Sequence, residues 1–118
     1  MANIKAMNGS IFLKVESDCI KNFYNQWLYY IDDNYLKTFY HEIILKIDGK
    51  YVKDFYGRIL FKYQNNTFYD FYGKILYFVK GDLITDFYGR YLYRIDGSLN
   101  DIQIAFLLAL LYRGDIKA

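Results

Sequence analysis

Residues 54–61 read Asp-Phe-Tyr-Gly-Arg-Ile-Leu-Phe, residues 70–77 read Asp-Phe-Tyr-Gly-Lys-Ile-Leu-Tyr, and residues 86–93 read Asp-Phe-Tyr-Gly-Arg-Tyr-Leu-Tyr. These three copies begin 16 residues apart, and looser copies begin at Asn22 and Thr38. A degraded copy precedes them and lacks the Phe-Tyr pair. The repeat therefore covers residues 6–101 as six units without a gap or an insertion.

A shorter period lies inside the repeat, because every eighth position from residue 9 to residue 97 holds Gly, Asn, Asp, Ser or His. Most of these residue types enter the left-handed backbone region at low cost, Gly above all and Ser least. The positions are Gly9, Ser17, Asn25, Asp33, His41, Gly49, Gly57, Asn65, Gly73, Gly81, Gly89 and Gly97. The pattern predicts a turn every eight residues with short strands between the turns.

Each repeat predicts one β-hairpin. Residues 58–63 are rich in β-branched and aromatic residues, as strands are, and residues 64–66 read as a turn whose counterparts carry the Asp-Gly hairpin signal. The return strand is expected over residues 67–72, with Tyr-Gly-Arg/Lys as the junction to the next hairpin. In the alternative interpretation Asp-Phe-Tyr-Gly is itself a type I turn, since Asp suits its first position and Gly its fourth.

The outgoing strands are apolar on both faces, with Ile59, Phe61 and Tyr63 on one face and Leu60 on the other. Such a sheet is usually covered on both sides. The cover is closure into a barrel or a flower of hairpins, the C-terminal helix, or another subunit. An open meander would also leave two bare edges. The predicted fold is all-β: an antiparallel meander of roughly ten to twelve strands, closed or nearly closed, with one hydrophobic C-terminal α-helix.

The eight-residue period ends after residue 97. Ser98 is expected to cap a helix, with Asp101 completing a capping box, and the helix is predicted from Ile102 to Arg113 with Gly114 as its stop. Apolar residues lie all round its axis, which indicates burial on every side. We expect the segment 98–114 to cap the sheet and to present an outer face to a partner or a second copy. That face consists of Phe106, Leu107, Leu110 and Leu111.

Composition indicates a single domain over residues 1–118 and excludes disorder, because 22% of the residues are aromatic. A net charge of +2 is too small to argue for nucleic acid on charge alone. One cysteine, Cys19, suits a reducing compartment, and no signal-peptide or membrane-spanning pattern stands out. We expect a cytoplasmic protein without a membrane partner, and the Phe, Tyr, Ile, Asn and Lys content suggests an A/T-rich bacterial or phage genome.

The hairpin repeats over residues 22–101 resemble the bacterial four-fold β-flower domains, and more distantly the membrane-occupation and choline-binding repeats. The most specific shared element is Asp-Phe-Tyr-Gly-Arg/Lys, followed by one variable position, a leucine and an aromatic residue. The resemblance implies the hairpin architecture, and the β-flower fold carries no assigned activity. The hydrophobic C-terminal helix departs from that family, and a single tryptophan departs from the choline-binding pattern.

A row of cations marks the three clearest repeats, because Arg58, Lys74 and Arg90 each follow an aspartate by four positions. The plain interpretation is a ladder of exposed salt bridges and Asp-backbone bonds at the turns. The alternative is an anion or phosphate clamp, in which the three cations converge on one axis.

Two aromatic rows accompany the cations. The tyrosines that include Tyr56, Tyr72 and Tyr88 are expected to form an intramolecular ladder or a stacking surface for a base, a sugar or a protein. The phenylalanines are expected in the core, together with Trp27. The members of that row are Phe23, Phe39, Phe55, Phe71 and Phe87.

No pattern for catalysis, a metal or a cofactor stands out. His41 occupies a turn position, and Cys19 reads as a small buried hydrophobe. The expected function is that of a small non-enzymatic binding protein, of a phage or bacterial inhibitor or immunity type, that contacts a protein partner and forms a homo-oligomer through the helix. One alternative is nucleotide or nucleic-acid binding through the basic-aromatic row, and another is a structural self-assembling protein.

Overall fold

Twelve antiparallel strands close into a barrel, followed by one helix, in the computed structural model, which describes residues 1–114. Each strand pairs with its neighbours in sequence, and the first pairs with the last. This confirms the expected closed all-β meander with a single C-terminal helix. The elements are β1 Ala2–Ala6, β2 Ile11–Val15, β3 Cys19–Asn22, β4 Trp27–Asp32, β5 Tyr35–Thr38, β6 Ile43–Asp48, β7 Tyr51–Asp54, β8 Ile59–Gln64, β9 Thr67–Asp70, β10 Ile75–Lys80, β11 Leu83–Asp86, β12 Tyr91–Gly97 and α1 Asp101–Arg113.

Closure depends on a hairpin assembled from the two ends of the barrel sequence. The strand β12 lies beside β1 in a register that runs from Ala2 opposite Gly97 to Ala6 opposite Tyr93. The amino group of Met1 also donates to the carbonyl oxygen of residue 98 at 3.0 Å. Strand β1 is therefore the return strand of the last repeat, and its pairing removes the bare edges of an open meander.

The eight-residue period is visible in the backbone torsion angles. Every position of this period from Gly9 to Gly97, except Ser17, has a positive φ, including His41 at 66° and Asn65 at 53°. The turns alternate between the two ends of the barrel. At one end, Gly57 donates its N–H to the carbonyl oxygen of Asp54, and Asp54 donates to that of Arg58. This is a type I turn followed by a left-handed glycine.

The structure therefore selects the second of the two hairpin interpretations. Strand β9 ends at Asp70, so Phe71 and Tyr72 belong to the turn and not to the return strand. The first interpretation, with a return strand over residues 67–72, is wrong by two residues. The difference decides where Phe71 and Tyr72 lie, because side chains in a strand alternate between the two faces of the sheet, whereas side chains in a turn do not.

Three rings of side chains line the barrel interior, and each ring takes one residue from every repeat. Residues of adjacent strands face each other across the ladder, as Val52 does with Phe61 and with Ile47. Together these rings and the helix form one hydrophobic core. The rings are Val15, Ile31, Ile47, Tyr63, Val79 and Ile95; Leu13, Tyr29, Leu45, Phe61, Tyr77 and Tyr93; and Ile4, Ile20, Leu36, Val52, Phe68 and Ile84.

A β-bulge at the start of the long strands explains why both faces read as apolar. In the β7–β8 pair the register shifts between Val52 and Lys53, so that Lys53 lies opposite Ile59. The alternation of inward-facing and outward-facing side chains therefore shifts by one residue at the bulge. As a result Leu60 packs against the core, while Ile59 is exposed.

The helix α1 lies inside the barrel. Its residues 103–110 are all buried, and eight consecutive residues cover every side of a helix. An eight-stranded barrel is filled by its own side chains, whereas a wider one leaves space in its lumen. The helix occupies that space here, with Tyr112 packed edge-on against Phe61 at 5.6 Å between ring centroids.

Two expectations about the helix are wrong in detail. Asn100 is the N-cap, with Gln103 completing the capping box, so Ser98 is not the cap. Gly114 ends the helix in the left-handed conformation, as expected. The expected outer face does not exist, because Phe106, Leu107 and Leu110 are fully buried and Leu111 is largely covered by the barrel. The helix thus offers no apolar face for a second copy.

Candidate functional site

The six turns that join each short strand to the next long strand form one end of the barrel, which we call the aromatic rim. Five of these turns carry a Phe-Tyr pair, and the sixth carries Met7 and Asn8. The turns share one geometry, since Ala6 and Gly9 make the same backbone bonds in the sixth turn as their counterparts elsewhere. The turns cover residues 6–10, 22–26, 38–42, 54–58, 70–74 and 86–90.

The phenylalanines of the aromatic rim are exposed, so the expectation that they form the core is wrong. All five are more than half exposed, with Phe71 at 61%, and the adjacent tyrosines are more exposed still, with Tyr72 at 89%. Trp27 is also on the surface, where Lys21 lies over its ring at 5.1 Å. The core phenylalanines are instead Phe61, Phe68 and Phe106, which point into the lumen.

The exposed aromatic area of the rim is large. At 150–250 Å² for each side chain, the ten rings leave roughly 1,000–1,700 Å² in contact with water. The largest apolar patch on a typical monomer is about 300–600 Å², and one side of a standard protein interface is about 800 Å². The rim therefore has the size and composition of an interface.

Hydrogen bonds inside each turn hold the rings in place. Asp54 Oδ1 accepts the N–H groups of Tyr56 and Arg58, each at 2.9 Å, and the aspartates of the next two repeats do the same. Asn22 and Thr38 accept the equivalent pair of N–H groups in their own turns. Such bonds from Asx and Thr side chains stabilise turns. The rim is a preorganised surface rather than a set of loose loops.

The same bonds affect the protonation of the turn carboxylates. Burial opposes ionisation of Asp54, but the backbone N–H of Arg58, its guanidinium group and the N–H of Tyr56 outweigh burial and lower the pKa. The corresponding groups of Arg90 and Tyr88 lower the pKa of Asp86 in the same way. These carboxylates therefore stay ionised and accept hydrogen bonds within their own turns.

Each tyrosine of the rim pairs with the phenylalanine of its own turn. The ring centroids lie 5.2–5.7 Å apart and the rings meet edge-on, at 78–86°. Phe55 also contacts the outer wall, where the ammonium group of Lys46 lies 5.5 Å from its ring centroid. The tyrosine rings consequently project into the solvent, which is the arrangement of a contact surface.

Two of the three predicted cation pairs are present. Arg58 Nε lies 2.7 Å from Asp54 Oδ2, and Arg90 Nε lies 2.6 Å from Asp86 Oδ2. Both arginine side chains remain 76% exposed. Lys74 makes no ion pair within residues 1–114, although its N–H bonds to the turn aspartate. Each guanidinium group is therefore held by the carboxylate of its own turn, as the salt-bridge interpretation predicts for these two repeats.

The isolated reactive groups are structural. His41 occupies its turn and stacks on Tyr30, with ring centroids 4.5 Å apart. Cys19 is buried and donates to Glu16 Oε2 at 3.4 Å. Burial, together with the nearby carboxylate of Glu16, raises the pKa of the Cys19 thiol to about 12, which keeps it protonated and unreactive.

The opposite end of the barrel, which we call the acidic rim, was not identified by sequence reasoning. It contains the remaining turns and the start of α1. A cavity of about 310 Å³ opens there beside the helix, between apolar residues such as Val52 and Ala105 and the polar groups of Asp101 and Lys50. The signal was present, because aspartates recur next to the two-residue turns, but the sequence does not show that these turns meet at one end.

Comparisons with known protein families, with curated proteins and with solved structures find no match. Within the described residues, no group of His, Cys, Asp and Glu side chains is arranged to hold a metal ion. The described part of the chain also contains no helix with the length and hydrophobicity that a membrane crossing requires. The geometry of the two rims is therefore the basis for a functional assignment.

Proposed function

We propose that this chain is a non-enzymatic binding protein that contacts a protein partner through the aromatic rim. The observation that carries the proposal is the exposure of five Phe-Tyr pairs on hydrogen-bonded turns at one end of a closed barrel. An inhibitor or immunity-type protein works in this way, since occupation of the partner's surface is itself the activity.

The chemistry of the rim suits a protein interface. Aromatic residues and arginine are enriched at interfaces and dominate their binding energy, because they bury a large area and also form hydrogen bonds. The rim presents Tyr56, Tyr72 and Tyr88 beside two arginines and a lysine on three successive turns. Their rigid turns reduce the conformational entropy lost on binding.

A second candidate is nucleotide or nucleic-acid binding, favoured by the stacking of cations on the same rings. The guanidinium carbon of Arg58 lies 5.9 Å from the centroid of Tyr56, so a base and a phosphate have neighbouring contacts. The protein partner is preferred because only three of the six turns carry a cation at this position. Ser10, Gln26 and Glu42 occupy the others.

The proposal includes no chemical step. The one histidine stacks in a turn, and the one thiol is buried with a raised pKa. The turn aspartates accept three hydrogen bonds each in two of the repeats. These groups support the barrel and its turns, and surface contact is the activity that remains for the rim.

The test compares two matched double variants. Tyr56→Ser/Tyr72→Ser removes two rim rings, and Tyr35→Ser/Tyr69→Ser removes two rings from the outer wall. Each immobilised protein is used to capture partners from a lysate of the source cells, and the captured protein is identified and then titrated by calorimetry. We expect the rim variant to weaken binding at least tenfold and the wall variant about twofold or less.

Equal binding by the two variants would contradict the proposal. The nucleic-acid candidate is tested in parallel with a labelled single-stranded oligonucleotide and a salt series. Binding that weakens steeply with salt and is lost in Arg58→Ala/Arg90→Ala favours the nucleic acid. No binding of the oligonucleotide together with rim-dependent capture of a protein supports the proposed function.

A further inference from the structure

We propose that the aromatic rim of one copy binds the acidic rim of a second copy, so that the protein assembles head to tail. The inference deepens the proposed function, on which it rests, by naming one partner of the aromatic rim. Its specific contact is the turn of Tyr72 and Lys74 in the cavity beside Asp101 of the next copy. Three features of the two rims lead to this assignment.

The first feature is opposite charge. The acidic rim exposes seven aspartates against three cations, which are Lys50, Lys80 and the N-terminal ammonium group of Met1. Four of the aspartates pair with cations of the outer wall, yet their side chains stay 54–73% exposed. At the aromatic rim, by contrast, the acids of the paired turns are 15% exposed and the arginines 76%, and Glu42 is the exposed acid of these turns. The aspartates are Asp18, Asp32, Asp33, Asp48, Asp82, Asp96 and Asp101.

The second feature is the fit of a ring to the cavity. The cavity of about 310 Å³ is lined by apolar side chains such as Ile47, Val52 and Ala105, together with polar side chains such as Gln64 and Asn65. An apolar cavity of about half that size, roughly 150 Å³, holds a benzene ring. Tyr72, the most exposed aromatic side chain of the rim, is the ring that best reaches a recess in another molecule.

The third feature is a pair of charges that lack partners. Lys74 makes no ion pair in the described structure, unlike Arg58 and Arg90 in the equivalent turns. Asp101, which borders the cavity, likewise makes no ion pair with a described residue. Lys74 lies in the same turn as Tyr72, two residues along the chain. The pairing of Lys74 with Asp101 satisfies both charges at once.

The two rims are also matched in spacing, because the same hairpins supply the turns at both ends. A contact between different surfaces of identical copies leaves one of each surface free at the ends of the assembly. Such a contact forms a closed ring if the rotation between successive copies completes a full turn. Otherwise the assembly grows as an open chain. The expected assembly is therefore a chain of barrels whose length depends on protein concentration.

The test uses the purified full chain alone, in sedimentation velocity runs over a concentration series at low and high salt. For the wild type we expect the average mass to rise with concentration and to fall with added salt. Lys74→Glu and Asp101→Lys should each weaken association at least tenfold, because like charges then meet at the contact. Tyr72→Ser should weaken it similarly, whereas Lys62→Glu on the outer wall should leave it within twofold.

The decisive measurement is a mixture of the Lys74→Glu and Asp101→Lys proteins. In a head-to-tail contact each protein supplies the complement that the other lacks, so the equimolar mixture should associate within twofold of the wild type. Circular dichroism melting shows whether each variant is folded, and Asp101→Arg, which also supplies a positive charge, replaces Asp101→Lys if the latter unfolds. Folded variants that fail to restore association when mixed overturn the proposal.

The outcome separates this proposal from the proposed function. A wild type that stays monomeric at every concentration overturns the head-to-tail contact, while rim-dependent capture of another protein still supports the proposed function. Association that resists both charge reversals also overturns it. If the rim variant Tyr56→Ser/Tyr72→Ser leaves both self-association and capture unchanged, both proposals fail.

Discussion

Replacing Phe106 by alanine is expected to lower the free energy of unfolding by about 3–5 kcal/mol. The side chain is fully buried in the middle of the helix α1 inside the barrel. Its removal loses the transfer free energy of the ring and leaves a cavity in a lumen that the closed ladder of strands holds open. Because backbone hydrogen bonds fix the circumference of the barrel, the walls cannot collapse onto the gap, which favours the upper part of the range.

The matched control is Phe71→Ala, which makes the same chemical change at the aromatic rim. Phe71 is 61% exposed, and its main ring contact is the edge-on pair with Tyr72 at 5.2 Å. Such a pair contributes about 0.5–1.5 kcal/mol, and the exposed ring contributes little further burial. We expect a cost of about 1 kcal/mol or less.

Urea denaturation followed by circular dichroism measures both changes, with thermal melting as a second readout. For a domain of this size, 3–5 kcal/mol corresponds to a decrease in Tm on the order of 10–20 °C. The reasoning is refuted if Phe71→Ala is as destabilising as Phe106→Ala, because the rim ring would then be a core residue. It is also refuted if Phe106→Ala costs less than about 1 kcal/mol, because the helix would then not fill the lumen.

Three further predictions concern closure, acid stability and thiol reactivity. Gly97→Ala should destabilise the barrel far more than Gly57→Ala, measured by urea denaturation, because a Cβ at residue 97 meets the backbone of the first strand whereas residue 57 faces open space. The pKa of Asp54 is lowered in the folded state, so its contribution to stability is present above the unfolded pKa and is lost as the pH falls through the folded value. Stability should decline below about pH 4, and the decline should be smaller in Asp54→Asn, which has no carboxylate to pair with Arg58; an unchanged pH profile would count against the pairing. Cys19 should react with a thiol reagent only on unfolding, and rapid labelling of the native protein would contradict its burial and its pKa of about 12.

Much of the fold follows from local sequence rules. The left-handed positions could be found by counting in eights, because the steric cost of a positive φ depends on the residue itself and not on its neighbours. The end of the helix at Gly114 was predictable for the same reason. The equivalence of Tyr56, Tyr72 and Tyr88, and of the cations that follow them, was also readable from the sequence, because a repeat places equivalent residues in equivalent environments.

The position of the Phe-Tyr pair was harder to predict, because a shift of two residues separates a core row from a surface rim. In a strand Phe71 would alternate with Tyr72 between the two faces, whereas in a type I turn both leave the sheet. The sequence left both interpretations open, since Asp-Phe-Tyr-Gly fits either. Four hydrogen bonds around Asp70 select the turn.

By itself, the sequence determined the period, the turns and the strands between them, because these depend on backbone preferences over a few residues. Tertiary structure alone decided that β1 completes the last hairpin, that the helix enters the lumen, and that the acidic turns gather at one end. All three depend on closure, which joins residues about 95 positions apart. Once twelve strands form a ring, the interior is too wide for their side chains alone, and burying the largely apolar helix there removes a large hydrophobic surface from water.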